Sequence, residues 1–110
     1  MVIGSLQEKK PYEIQFTAND GSPADLYVIL AGWVPQDGGG PLPPDAENEL
    51  GPGESCQIPG TAPAMADARR LRIEVSVPHP TGGGTLTVTQ GSASTYDVTD
   101  DVTFLSPLRR

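Results

Sequence analysis

The sequence holds one imidazole, His79, and one thiol, Cys56, so any imidazole base and any thiol nucleophile must be these residues. A Cys–His pair works only when both groups lie within hydrogen-bond reach and a third group orients the base. Nothing in the spacing supplies that arrangement. His79 sits between Pro78 and Pro80, which reads as an ordinary loop position. Cys56 shares the apolar phase of its segment with Ile58, so a buried, inert thiol is expected. Two carboxylates at a set separation would suffice for glycoside hydrolysis, but no pattern selects a pair among the 14 acids. The expectation is no catalytic residue and no enzyme.

Metal chemistry is the next possibility. Asn19, Asp20 and Asp25 flank one turn, and Asp97, Asp100 and Asp101 flank another. Calcium takes six to eight oxygens, and loops at the end of a β-sandwich can supply them from different turns. No Asp-x-Asp-x-Asp-Gly loop occurs, and aspartate is common in turns because it accepts hydrogen bonds from nearby backbone amides. Structural turns are the expected role, with calcium at Asp97, Asp100 and Asp101 the lesser reading. A single cysteine excludes an intrachain disulfide and a cysteine-based zinc site. No cofactor is expected.

Binding remains. Trp33 opens a Gly/Pro-rich stretch, and with Tyr27 and Tyr96 it offers a surface for stacking on a sugar; in a small core the same ring is a packing residue. Charge is segregated along the chain. No Lys or Arg occurs from Pro11 through Ala68, where Asp45, Glu47 and Glu49 fall with six other acids, and then Arg69, Arg70 and Arg72 arrive together. Net charge of this kind speaks first to solubility; its sharper reading is that the arginines meet the acids, within the fold or on a second subunit. Seven basic residues against 14 acids, for a net charge of −7, argue against nucleic acid, whose phosphates need clustered cations.

The elements that must position these residues read as strands. Leu71, Ile73, Val75 and Val77 alternate with Arg72, Glu74 and Ser76, and Leu86 and Val88 alternate with Thr85, Thr87 and Thr89. Alternate side chains on a strand face opposite ways, so each run has an apolar and a polar face. The proline- and glycine-rich segment from Pro78 to Gly84 separates them. Seven strands are expected, at 12–18, 26–34, 54–58, 71–77, 85–90, 95–98 and 102–105. Leu26 to Val34 lacks polar alternation, so both its faces should be covered. Gln90 to Ser94 reads as a turn, and Ala62 to Ala68 as one or two helical turns.

Pro35 to Gly53 reads as a long acidic loop rich in Gly and Pro, mobile or functional. After it, Leu50-Gly51-Pro52-Gly53-Glu54-Ser55 resembles the hydrophobic-Pro-Gly-Glu-Ser turn of bacterial immunoglobulin-like modules, over half a dozen residues that define no family. Pro59-Gly60 should close the strand that follows.

Short strands separated by turn chemistry, with no long helix, give one domain over 1–110: an all-β, small antiparallel β-sandwich of immunoglobulin-like or jelly-roll type. Thr85, Thr87 and Thr89 share a face that Thr95, Thr99 and Thr103 extend if the last strands pair in sequence. Prolines at 11, 35, 78 and 107 guard some edges, but lysines are few, so self-association is expected. The reading is a non-enzymatic protein-binding or self-assembly module, a homo-oligomer or the partner of another protein. The alternative is a carbohydrate-binding module, perhaps aided by calcium. The longest apolar run, Leu26 to Val34, is far short of the roughly 20 residues of a membrane helix. Met1 to Gly4 lacks a signal peptide's charged start and apolar run, so a complete chain would be cytoplasmic; the compartment of an excised domain is open.

Overall fold

The computed structural model describes residues 3–21, 25–37, 40, 47–78 and 82–110. Among them are ten strands: β1 (Leu6–Gln7), β2 (Pro11–Ala18), β3 (Tyr27–Pro35), β4 (Glu47–Leu50), β5 (Ser55–Thr61), β6 (Arg69–Ser76), β7 (Gly84–Gln90), β8 (Ser92–Val98), β9 (Val102–Ser106) and β10 (Leu108–Arg109). Two four-stranded antiparallel sheets, in the orders β5-β2-β7-β8 and β4-β3-β6-β9, form the two layers of a sandwich; β1 and β10 pair in parallel beside them. The all-β expectation holds. No helix among the described residues is long and apolar enough to cross a membrane.

The alternation read from the sequence sets the core. Ile14 and Phe16 of β2 and Leu86 of β7 face Ile29 of β3, Leu71 and Ile73 of β6 and Phe104 of β9, all essentially without exposed surface. Burying each such side chain stabilises by about 1.5–3 kcal/mol before the cost of ordering the chain. Three aromatic pairs join the layers: Tyr12–Trp33 (centroids 5.8 Å, edge-on), Phe16–Tyr27 (6.1 Å) and Tyr96–Phe104 (5.7 Å). The first two tie β2 to β3 at both ends of these strands, and the third ties edge strand β8 to edge strand β9.

Several expectations are corrected. Ten strands stand where seven were expected. β4 lies inside the stretch read as a loop over 35–53: Leu50 points inward opposite Tyr27, while Glu47 and Glu49 point outward opposite Leu30 and Val28. Two glutamates in four residues look like loop, yet they suit the solvent side of an edge strand. β5 runs through Pro59 and Gly60 to Thr61, because an edge strand tolerates a proline whose missing donor faces outward. Leu26 precedes β3 and is 53 % exposed, and Val28, Leu30 and Gly32 on the outer face are only half-buried. On the same face Val34 is 1 % exposed, so the outer side of β3 is fully covered at that end and partly covered along the rest. The helical turn shrinks to a single 3-10 turn, Met65–Asp67.

The C-terminal strands do not pair in sequence. β8 extends the β2 sheet through β7, whereas β9 crosses to the other layer and pairs with β6. Thr85, Thr87, Thr89 and Thr95 therefore share an outer face, Thr103 lies on the opposite side of the molecule, and Thr99 sits in the connection. Gly91, at φ 78°, makes the β7–β8 reversal alone, so Ser92 to Ser94 belong to the strand and not to a turn.

Candidate functional site

The thiol is placed by β5, where Cys56 pairs with Phe16 and packs half-buried against the core. Burial pushes its pKa up, and a backbone hydrogen bond at Phe16 offsets this in part. A thiol held in its protonated form is a poor nucleophile. His79 lies outside the described residues.

The turn acids have backbone duties. Asp101 Oδ1 accepts the Val77 N–H at 2.8 Å, and Asp100 Oδ1 accepts the Asp101 N–H at 2.7 Å. Asp97 pairs with Thr85 on the outer face of β8. Among the described residues, no three His, Cys, Asp or Glu side chains gather where they could hold a metal ion.

Trp33 points between the layers rather than outward. It pairs with Leu71, and its indole N–H donates to the Tyr12 hydroxyl at 3.0 Å. Burial raises the Tyr12 pKa, and the hydrogen bond with Trp33 lowers it by less. A ring packed edge-on with its donor engaged works against the flat exposed platform that sugar stacking uses.

The arginines occupy β6. Arg70 and Arg72 fall on the outer face opposite Val34 and Gly32 of β3, and exposed Arg69 pairs with Pro35 at the strand's first position. Arg72 forms an ion pair with Glu74 (Nε to Oε1 3.6 Å), and its Nη2 donates to the Gly40 carbonyl. That bond places Gly40 against this face through a backbone oxygen, not through an acid of the loop. Glu47 and Glu49 also lie on this face, two strands away on β4, at the levels of Leu30 and Val28. The arginines stand at the levels of Gly32 and Val34, so the two sets are offset along the sheet. Asp45 lies outside the described residues.

Sequence reasoning missed the character of β8. Edge strands invite pairing unless something blocks them. β4 is short and carries Glu47 and Glu49; β5 carries Pro59 and Gly60; β9 is flanked by the N-terminal segment, with Ile3 N–H on Leu105 O at 2.9 Å and Ser106 Oγ donating to Gly4 O at 2.6 Å. β8 runs for seven residues without proline, glycine or lysine; its one charge is Asp97, the Gly4 N–H donates to its Tyr96 hydroxyl at 3.3 Å, and Ser92 through Thr95 are exposed on both faces. Reading Gln90 to Ser94 as a turn had hidden half the strand; the single Gly91 was the available signal.

An antiparallel β-sandwich is thus the class this chain defines. No protein-family model matches it, and neither the curated proteins nor the solved structures include a match.

Proposed function

We propose that the protein is a non-enzymatic protein-binding module that self-associates by pairing the β8 edge of one copy with the β8 edge of another. The β8 edge carries this reading: over its seven residues it has no proline, glycine or lysine, and a single charge, Asp97, near its end. An antiparallel partner strand would extend the sheet through backbone hydrogen bonds, a recurring mode of protein recognition.

The sequence of β8 favours a second copy. A two-fold axis at Thr95 pairs all seven residues, setting Ser94 against Tyr96, Ala93 against Asp97 and Ser92 against Val98. The two Asp97 carboxylates then stay apart, and each meets a small neutral residue. On the outer face, the level Gln57-Gln15-Thr87-Thr95 would run on into its symmetry copy as one uncharged polar row. Thr87 and Thr95 already place their hydroxyls 3.3 Å apart. The half-buried thiol with its raised pKa supports the non-enzymatic part.

Light scattering across a concentration series tests the reading. The expected result is a reversible dimer, abolished by Thr95→Lys, which sets two like charges opposite each other at the axis. Thr103→Lys, on the other layer's outer face, should leave it intact. A strict monomer at all concentrations, or equal behaviour of the two variants, would sink it.

A further inference from the structure

A second surface stands apart from β8. Where β3, β6 and β9 end together, the described residues line an open cleft of about 300 Å³. Its polar lining is Gln36, Arg69 and Arg70; its apolar lining is Met65, Pro107 and Leu108, together with Ala68. None of the described residues that line it is a carboxylate, in a chain whose net charge is −7. Two guanidinium groups gather here beside apolar side chains, with Asp67 in the adjoining turn.

Three observations sharpen this. The Arg70 Nε, like the Arg72 Nε outside the cleft, is buried and has no hydrogen-bond partner among the described residues, a state that buried donors in folded proteins rarely keep without a reason. Among the described residues, the Arg69 side chain makes one long contact, Nη1 to the Trp33 carbonyl at 3.5 Å, which leaves most of its donor fork for a ligand. Ala68, the residue just before both arginines, is held in the left-handed region at φ 52°, ψ 54°, where a non-glycine residue is strained. Such strain tends to be kept where it positions a site. The turn is fastened from outside, because Glu8 Oε1 accepts the Met65 N–H at 2.9 Å; Met65 is 38 % exposed, unusual for a large apolar side chain.

We propose that this cleft binds a small monocarboxylate with a short hydrocarbon tail. The carboxylate takes the planar donor forks of Arg70 and Arg69, which match two oxygens at once. The tail lies against Met65, Pro107 and Leu108 and removes their apolar surface from water. Polar surface slightly exceeds apolar surface in this lining, and small-ligand sites combine an apolar wall with converging polar groups. Tetrahedral phosphate would satisfy the arginines but leave the apolar wall wet.

Titration with hexanoate, hexylamine and inorganic phosphate, followed by backbone amide NMR shifts, tests the assignment. Hexanoate should give saturable shifts centred on Met65, Ala68, Arg70 and Leu108, with hexylamine silent and phosphate at least tenfold weaker. Arg70→Met should weaken hexanoate at least tenfold while leaving the melting temperature unchanged. Met65→Glu, a substitution on the exposed turn that places a carboxylate in the wall, should do the same, so one misfolded variant does not decide the matter. Non-saturable hexanoate shifts, phosphate binding as tight as hexanoate, or two folded variants that bind like the parent would each overturn it.

Discussion

The Trp33 indole N–H donates to the Tyr12 hydroxyl at 3.0 Å across the sandwich, with the two rings edge-on at 5.8 Å. The pair joins the central strands of opposite layers, so its loss should be felt globally. Removing a packed tryptophan costs about 3–5 kcal/mol, and an edge-on aromatic pair adds about 0.5–1.5 kcal/mol. Trp33→Ala is therefore expected to cost roughly 3 kcal/mol in urea unfolding, since the ring is half-buried, and Tyr12→Phe about 1 kcal/mol for the hydrogen bond. The double variant should fall short of the sum by about 1 kcal/mol, the coupling of the pair. Strict additivity would mean that the contact contributes nothing, and a stable Trp33→Ala protein would return that residue to the list of binding candidates.

The layers were legible because they depend on period. Ile14, Phe16, Leu71, Ile73, Val75, Leu86 and Val88 all lie where two-residue alternation puts them, since core burial enforces that rhythm along each strand. Pairing order was not legible. Whether β9 follows β8 in the same sheet or crosses to the other layer depends on what Phe104 packs against, and the alternation of Val102 and Phe104 is the same either way. β4 was hidden for a related reason: with one apolar residue, Leu50, it has no rhythm to read, and only the edge of β3 defines it. The cleft could be anticipated only as a cluster of arginines. The partners of Arg69 and Arg70 are set by where Pro107 and Leu108 return, far away in sequence.

Alkaline pH should destabilise the fold in a defined window. Burial raises the pKa of both the Cys56 thiol and the Tyr12 phenol. The unfolded chain thus releases these protons first as pH rises, and the folded state binds more protons. Stability then declines with pH, starting near the unfolded values of about 8.5 for cysteine and about 10 for tyrosine, until the folded values are passed. Melting temperature against pH should fall above about 8.5, and Cys56→Ser should remove the earlier part of that fall. Identical alkaline profiles for the two proteins would contradict the assignment. In the native state the thiol should also react with iodoacetamide far more slowly than in urea.

Asp101 separates the metal reading from the turn reading. Its carboxylate accepts the Val77 N–H at the end of β6, a partly buried bond. Asp101→Ala leaves that donor without this acceptor and should cost about 1–2 kcal/mol, while Asp101→Asn keeps an acceptor and should cost less. Added calcium should not change the melting temperature of the parent. A calcium-dependent rise that disappears in Asp101→Ala would instead restore Asp97, Asp100 and Asp101 as ligands.

Two glycines lie under the rings of β2, and they should respond differently to a methyl group. A Cβ on Gly60 would meet the Tyr12 ring (Cζ at 2.6 Å), and one on Gly84 would meet both the Phe16 ring (Cζ at 2.6 Å) and the Thr17 carbonyl. Aromatic rings covering glycines on neighbouring strands fill the space a side chain would take. Gly84→Ala presses on a buried phenylalanine and on backbone, neither of which can withdraw, so it should cost about 3 kcal/mol, the upper end for overpacking. Gly60→Ala presses on the hydroxyl end of Tyr12, at the border of the core, so the ring can swing aside at a cost nearer 1 kcal/mol. That swing breaks the hydrogen bond from Trp33, and the fluorescence of the lone tryptophan should shift in folded Gly60→Ala but not in folded Gly84→Ala. The reverse pattern, or equal costs, would mean that Tyr12 is held as rigidly as Phe16.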